Sequence, residues 1–135
     1  MPIVGVNFTK IHAERSGSLD GKININNNVS LKDVKRADID LGKSKQASLR
    51  FEFEFTAKYE PKSGEILLTG DVLMIDNEQA VADIEAGWKK SKTIPKELTA
   101  TLMNSILNKC NVEAIILSRD IGLPSPIPLP KLDNK

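Results

Sequence analysis

The sequence predicts an α+β fold: a four-stranded antiparallel sheet packed by a short helix and a long C-terminal helix, followed by an extended, proline-rich tail. Three patterns in the 135-residue chain indicate this class. Residues 47–59 alternate between apolar and polar side chains, residues 95–121 repeat apolar side chains at helical spacing, and proline then occupies every second position. We expect one domain over residues 1–135.

Within that domain the sheet is expected at about 3–75, the helices at about 77–121 and the tail at 122–135. The clearest strand is 47–59, and a turn containing Pro61 and Gly64 joins it to a second strand at 65–75. The strand at 47–59 has charged side chains on one face, which is typical of a half-buried antiparallel strand. Its apolar face carries Leu49, Phe51, Phe53, Phe55, Ala57 and Tyr59.

Two earlier strands complete the predicted sheet. Residues 3–14 alternate with a phase change near Thr9 and Lys10, which indicates a β-bulge. Residues 22–31 place Ile23, Ile25, Val29 and Leu31 on one face, with Asn27 between them. Residues 32–48 are compatible with either a strand or a loop, since Ala37, Ile39 and Leu41 alternate within a polar stretch.

Helical spacing begins after the sheet. Asp76 and Gln79 fit a capping box at the start of a short helix, whose apolar stripe is Ala80, Val81, Ile84 and Trp88. A second helix is predicted to begin near Pro95 and to run to Ile121, where Gly122 and Pro124 end it.

The long helix is apolar around more of its circumference than one sheet covers. One stripe comprises Met103, Ile106, Leu107, Cys110, Ala114, Leu117 and Ile121, and further apolar residues widen it. This width predicts a second copy of the chain or a client protein on the other side. The expected contact residues are Leu98, Leu102, Val112, Ile115 and Ile116 on the helix, Phe51, Phe53 and Phe55 on the sheet, and Leu123, Ile127 and Leu129 in the tail.

No motif in the sequence points to catalysis, a metal or a cofactor. His12 is the single histidine and Cys110 the single cysteine, and the latter lies on an apolar helix stripe. Glu52 and Glu54 share a strand face, where a solvated surface is the simpler interpretation than paired catalytic carboxylates. Asp71 stands in an apolar strand. We therefore expect a protein that is not an enzyme, with no catalytic, cofactor or metal site.

Composition limits the partners and the location. The formal net charge is +1, so no long-range field gathers nucleic acid or anionic membrane. The apolar runs are too short for membrane insertion, and one cysteine forms no intrachain disulfide, which favours the cytoplasm. A basic patch at 89–96 lies beside Trp88. We interpret these lysines as a solvated connection between the two helices, which is a simpler explanation than a contact with phosphate groups.

The layout resembles that of SecB-type export chaperones. Three segments carry the resemblance: the proline-led start at 94–98, the helix end at 116–119 and the tail from Gly122 to Pro130; the strand at 51–55 is also similar to the family's central strand. The resemblance implies a cytoplasmic chaperone for protein transport that binds unfolded polypeptides in apolar grooves, assembles as a dimer or tetramer and uses no cofactor. The near-neutral charge departs from the acidic character with which the family engages its export motor.

The leading hypothesis is therefore a SecB-like holdase that performs no chemistry. Two alternatives remain open. One is an assembly or regulatory subunit that docks a fixed partner protein, and the other is a small-molecule binder of unknown type.

Overall fold

The computed structural model describes residues 3–17, 23–37 and 46–127. Over these residues the chain forms β1 (Ile3–Arg15), β2 (Asn24–Ala37), β3 (Gln46–Glu60), β4 (Gly64–Asn77), α1 (Glu78–Ser91) and α2 (Lys96–Ile121). The strands make an antiparallel sheet in the order β1-β4-β3-β2, so β1 and β2 are its edges. The predicted α+β class is confirmed.

The two central strands supply most of the core. β3 and β4 pair from Gln46–Asn77 to Tyr59–Gly64, and their inward side chains are fully buried under the helices. The alternation predicted for 47–59 is confirmed in the buried set Leu49, Phe51, Phe53, Phe55, Ala57 and Tyr59, which faces Ile66, Leu68, Val72 and Met74 of β4. Burial of these large side chains is the main favourable term in the fold.

A β-bulge interrupts each edge strand. In β1 the register shifts between Phe8 and Lys10, which confirms the bulge predicted there. In β2 the register shifts between Leu31 and Asp33. An extra residue reverses the side-chain alternation, so Val34 points inward and is buried.

The segment at 32–48, which the sequence left open, is partly strand. Residues 32–37 continue β2 and residues 46–48 begin β3. The remaining positions, 38–45, which include Ile39 and Leu41, lie outside the described residues.

Gly70 allows β1 to approach the centre of the sheet. A Cβ atom at this position would lie 2.1 Å from the Asn7 carbonyl oxygen and 2.9 Å from Cζ of Phe53. The Phe8 ring meets Phe53 edge-on, with centroids 6.3 Å apart. Only a residue without a side chain fits between these groups.

The start of α1 corrects the predicted capping box. The N-cap residue is Asn77, one position later than Asp76, and its Oδ1 accepts from the Ala80 N–H at 2.8 Å. Asp76 instead accepts from the Asn77 N–H at 2.7 Å, and Gln79 donates to Asp83. Both Asp and Asn cap helices well, so the β4 pairing, which continues to Asn77, decides between them. The predicted stripe is confirmed by burial of Val81, Ile84 and Trp88.

α2 has the predicted ends but a rotated buried face. It follows Pro95 and stops at Gly122, whose φ of 72° allows the Leu123 N–H to donate to the Ser118 carbonyl at 2.8 Å. Met103 and Leu107, which were expected at the centre of the stripe, are only half-buried. The buried residues are Leu98, Leu102, Ile106, Cys110, Ala114 and Ser118.

The chain after α2 lies against the sheet as far as it is described. Residues 123–127, here named the strap, follow Gly122 without helical or strand structure. Leu123 is 6% exposed and Pro126 is buried. Over these residues the tail therefore lies along the domain, and 128–135 lie outside the described residues.

Candidate functional site

The two helices leave part of the sheet uncovered. α2 contacts β1, β3 and β4, whereas α1 contacts β2, β3 and β4. α1 has 14 residues and spans roughly 21 Å, while the 14 residues of β2 extend over roughly 46 Å. One short helix therefore covers only part of the inner face of β2.

Charge pairs hold α1 over one end of β2. The Arg36 guanidinium contacts Glu78 at 2.6 Å and Glu85 at 3.3 Å. Further along β2, the Trp88 indole N–H donates to Asp33 at 3.3 Å. From Asp33 towards Asn24, the inner face of β2 is no longer under α1.

An apolar trough occupies the uncovered area between β2 and α2. Val29 and Leu31 pair with Phe55 and Phe53, so they point to the core side of the sheet. Unlike those phenylalanines, they are only half-buried. We define the trough by Val29 and Leu31 on β2 and by two half-buried side chains one turn apart on α2, Met103 and Leu107.

A cleft of about 300 Å³ forms one end of the trough. It lies where β2, the end of α1 and the first turns of α2 meet. Its walls are mostly apolar carbon with threonine hydroxyl groups at the rim. The lining residues are Leu31, Trp88, Lys92, Thr93, Ile94, Thr99 and Met103.

Trp88 closes this end as a fixed wall. Its ring is 7% exposed, and the Lys92 ammonium lies 5.4 Å from the ring centroid. The buried ring offers no open face on which a base could stack. Lys89, Lys90 and Lys96 are exposed, which agrees with the solvated helix connection favoured from the sequence.

The strap closes the opposite end. The Tyr59 hydroxyl donates to the Pro124 carbonyl at 2.6 Å, and the Asn27 amide donates to the Pro126 carbonyl at 2.9 Å. Burial of the phenol raises the pKa of Tyr59 to about 12, so the hydroxyl remains a donor at neutral pH. We name Tyr59 and Asn27 the strap seat.

Four large apolar side chains are exposed outside the trough, two on α2 and two on the edge strand β1. Val112 and Ile116 are 59% and 38% exposed, and on the edge strand β1 Val4 and Ile11 are 56% and 49% exposed. These four residues form the outer apolar set. Beside them, Lys109 donates to the Val6 carbonyl at 2.5 Å and lies 5.4 Å from the Phe8 centroid.

The structure divides the predicted contact residues into two classes. Six of them are core: Leu98, Leu102, Phe51, Phe53, Phe55 and Leu123. These six side chains pack in the core of their own chain, and their role in contact with a client or a second copy stays a prediction. Val112 and Ile116 are exposed, Ile115 and Ile127 are half-buried, and Leu129 lies outside the described residues.

Two of the polar candidates, Glu52 and Asp71, are cross-strand partners and line one open cleft of about 290 Å³, whereas His12 does not line it. His12 lies 3.6 Å from Glu14 on an exposed edge. Glu52 pairs with Lys35 at 3.1 Å, and Asp71 lies 3.7 Å from Arg50.

The thiol of Cys110 is inert in this fold. Burial raises its pKa to about 12, so it stays protonated near neutral pH. Among residues 3–17, 23–37 and 46–127, no three His, Cys, Asp or Glu side chains are grouped for a metal ion. Over the same residues, no helix has the length and apolar character needed to cross a bilayer.

Sequence reasoning missed the trough and the strap seat. The alternation of β2 had been recognised, and it assigned Val29, Leu31 and Asn27 to one face. Nothing in the alternation says whether that face is covered. Exposure of Met103 and Leu107 follows from the rotation of α2, and the Tyr59 donor follows from the path of the strap.

Comparison with known proteins yields a fold relationship. No family model and no curated protein matches the chain. A solved structure of a SecB-like chaperone from Mycobacterium tuberculosis, in complex with a ChAD peptide from the HigA1 antitoxin, is similar with a TM-score of 0.53. The match covers 98% of this chain and 89% of that chain at 14% identity. The SecB-like fold expected from the sequence is therefore supported by a solved structure.

Proposed function

We propose that this protein binds extended apolar segments of other polypeptides in the trough, as a SecB-like chaperone or holdase that performs no chemistry. The observation that carries the proposal is the half-buried apolar row of Val29, Leu31, Met103 and Leu107 on the core side of the sheet. Inward-facing apolar side chains are normally covered, and exposed apolar surface of this kind is typical of binding grooves.

The shape of the trough suits an extended chain. One wall is a strand and the other a helix, and its ends are formed by Trp88 and the strap. In an extended peptide alternate side chains share one face. A segment with apolar residues at alternate positions would bury them here and leave its other face in water.

The fold relationship supports a polypeptide partner. The related chaperone structure contains a peptide from an antitoxin. That observation favours a second candidate function, in which the trough docks one fixed partner protein. The two candidates differ in breadth: a holdase acts on many unfolded chains, whereas a docking subunit binds one sequence.

We also propose that the outer apolar set contacts a second copy of this chain, giving a dimer or tetramer. Val112 and Ile116 lie one turn apart on α2, and the edge strand β1 carries two further exposed apolar residues. The native mass in solution tests this point, and a stable monomer contradicts it. We place the proposed activity in the cytoplasm, because a single cysteine forms no intrachain disulfide.

Light scattering of a refolding client protein tests the binding function. We expect the protein to suppress client aggregation. Met103→Glu places a charge in the trough and is expected to weaken suppression about tenfold or more. Asn104→Glu is the matched control, because it places the same charge at an exposed position of α2 that belongs neither to the trough nor to the outer apolar set, and it is expected to keep most of the activity.

Two results contradict the proposal. Absence of suppression by the unaltered protein removes the chaperone function. If Val112→Glu abolishes suppression while Met103→Glu retains it, the client site is the outer apolar set and the trough is not used. Repeating the assay with several unrelated clients separates a holdase from a subunit with one partner.

A further inference from the structure

The strap is attached to the sheet by an unusual set of contacts. In the part of the chain that the structure describes, no backbone–backbone hydrogen bond joins residues 124–127 to a strand. The polar contacts run instead from two side-chain donors, on Tyr59 and Asn27, to two strap carbonyl groups. Each such bond contributes about 1 kcal/mol net, so hydrogen bonding holds residues 124–127 more weakly than the ladder bonds hold a sheet strand.

The two carbonyl groups belong to residues two positions apart. Both Pro124 and Pro126 lack an N–H group, so neither residue requires an acceptor from the seat. The N–H of Ile127 is satisfied within the strap by the Ser125 hydroxyl at 3.3 Å. In both observed contacts the seat residues act as donors, which matches a segment whose own donors have been removed by proline.

The seat is continuous with the trough. Asn27 lies on the same face of β2 as Val29, and Tyr59 continues the inward row of β3 that contains Phe55. Pro126 is buried there, while Pro124 is exposed. The strap thus occupies one end of an apolar site with an extended, apolar, proline-containing chain.

We propose that the strap seat is a binding site for an extended, apolar segment of a partner protein with proline at alternate positions, and that the strap is its built-in competitor. This inference rests on the proposed function, because the partner segment would continue from the seat into the trough. Release of the strap breaks two side-chain hydrogen bonds and exposes Pro126, and a partner segment with the same chemistry restores both interactions. Because the strap competes for the seat, the apparent affinity for the partner equals the intrinsic affinity multiplied by the fraction of chains in which the seat is free.

Full-length variants that release the strap provide the test. Pro126→Asp places a charge at the buried strap position, whereas the control Asn108→Asp places the same charge at an exposed position of α2 outside the strap. The probe is a fluorescein-labelled peptide with the sequence of residues 123–132, measured by anisotropy. We expect Pro126→Asp to bind the probe about tenfold more tightly than the unaltered chain. Asn108→Asp should match the unaltered chain.

A second pair of substitutions tests the seat itself. In the Pro126→Asp background, Asn27→Ala removes one donor and is expected to weaken probe binding about fivefold. Asn28→Ala is the matched control, because Asn28 pairs with Thr56 on the other face of the sheet. The same probe with alanine in place of each proline should bind more weakly than the proline form.

Equal probe affinity in the unaltered chain and in Pro126→Asp overturns the proposal. A chain ending at Ser125, which lacks Pro126, measures release of the strap independently. If this chain binds the probe no more tightly than the unaltered chain, the proposal is overturned as well. Equal effects of Asn27→Ala and Asn28→Ala also overturn it. If client suppression persists in the light-scattering assay while all probe results are negative, only the strap proposal fails. If suppression is absent as well, both proposals fail.

Discussion

The two flanks of α2 meet the sheet in different ways. On the β1 flank, Lys109 bonds to the Val6 carbonyl and lies over Phe8, and Gly70 lets β1 pack closely against Phe53. On the β2 flank, Leu31 and Met103 border an open cleft. The same helix therefore seals the core on one side and leaves an apolar trough on the other.

Element widths explain this difference. Neighbouring strands are about 4.8 Å apart and a helix with its side chains is about 10 Å wide, so one helix covers about two strands. α2 lies over the β1 and β4 side of the sheet, and α1 is too short to cover β2 along its length. Uncovered apolar surface at this position is a consequence of helix length and placement, and a peptide-binding protein can use it.

The largest expected effect is a difference in stability loss between a substitution on the core face of α2 and one on the flank that borders the trough. Leu102 is fully buried, whereas Met103, the next residue, is half-buried. We expect Leu102→Ala to lower the free energy of unfolding by about 3 kcal/mol and Met103→Ala by about 1 kcal/mol. Urea denaturation measures both. Similar losses for the two variants would show that Met103 is also core and that the trough is closed in solution.

A smaller effect tests the close packing of the β1 flank. Gly70→Ala forces a Cβ atom against the Asn7 carbonyl, and we expect a loss of about 2 kcal/mol in unfolding free energy. Gly5→Ala is the matched control on β1, since a Cβ atom there lies 3.9 Å from its nearest neighbour. We expect that control to change stability by less than about 0.5 kcal/mol. A harmless Gly70→Ala would contradict the tight approach of β1.

The smallest effect concerns the lysine that covers the β1 edge. Lys109→Met keeps a long side chain over Phe8 but removes the donor to the Val6 carbonyl, so we expect a loss of about 0.5–1 kcal/mol. Lys89→Met, at an exposed position of α1, serves as the control and should be neutral. Thermal unfolding of both variants under the same conditions checks the difference. Equal melting temperatures would mean that Lys109 does not stabilise this flank.

Patterns of local origin were predicted well. The alternation of 47–59 and the phase change at Thr9 and Lys10 identified strand faces and a bulge, because a side-chain period of two follows from strand geometry alone. The helix end at Gly122 was also predicted, because a residue with positive φ is favoured there by its own backbone freedom.

Choices between similar local alternatives were predicted less well. Asp76 and Asn77 both suit a helix N-cap, and the extent of β4 pairing selects Asn77. Leu98 and Leu102 looked like an outward extension of the α2 stripe, yet they are core. Helical periodicity shows that apolar residues share a side of the helix. When a helix is apolar over much of its circumference, the packing decides which of these residues face the core.

By itself, the sequence determined the elements of this protein, their order, the inward face of β3, and the apolar character of the tail. These properties depend on the periodicity and backbone preferences of short segments. Only the tertiary structure decided that Val29, Leu31 and Met103 border a trough, that Val112 and Ile116 face outward, and that Tyr59 and Asn27 hold the strap. Exposure and contact between distant segments depend on which element covers which. That is a property of lengths and docking positions in three dimensions, and no local pattern contains it.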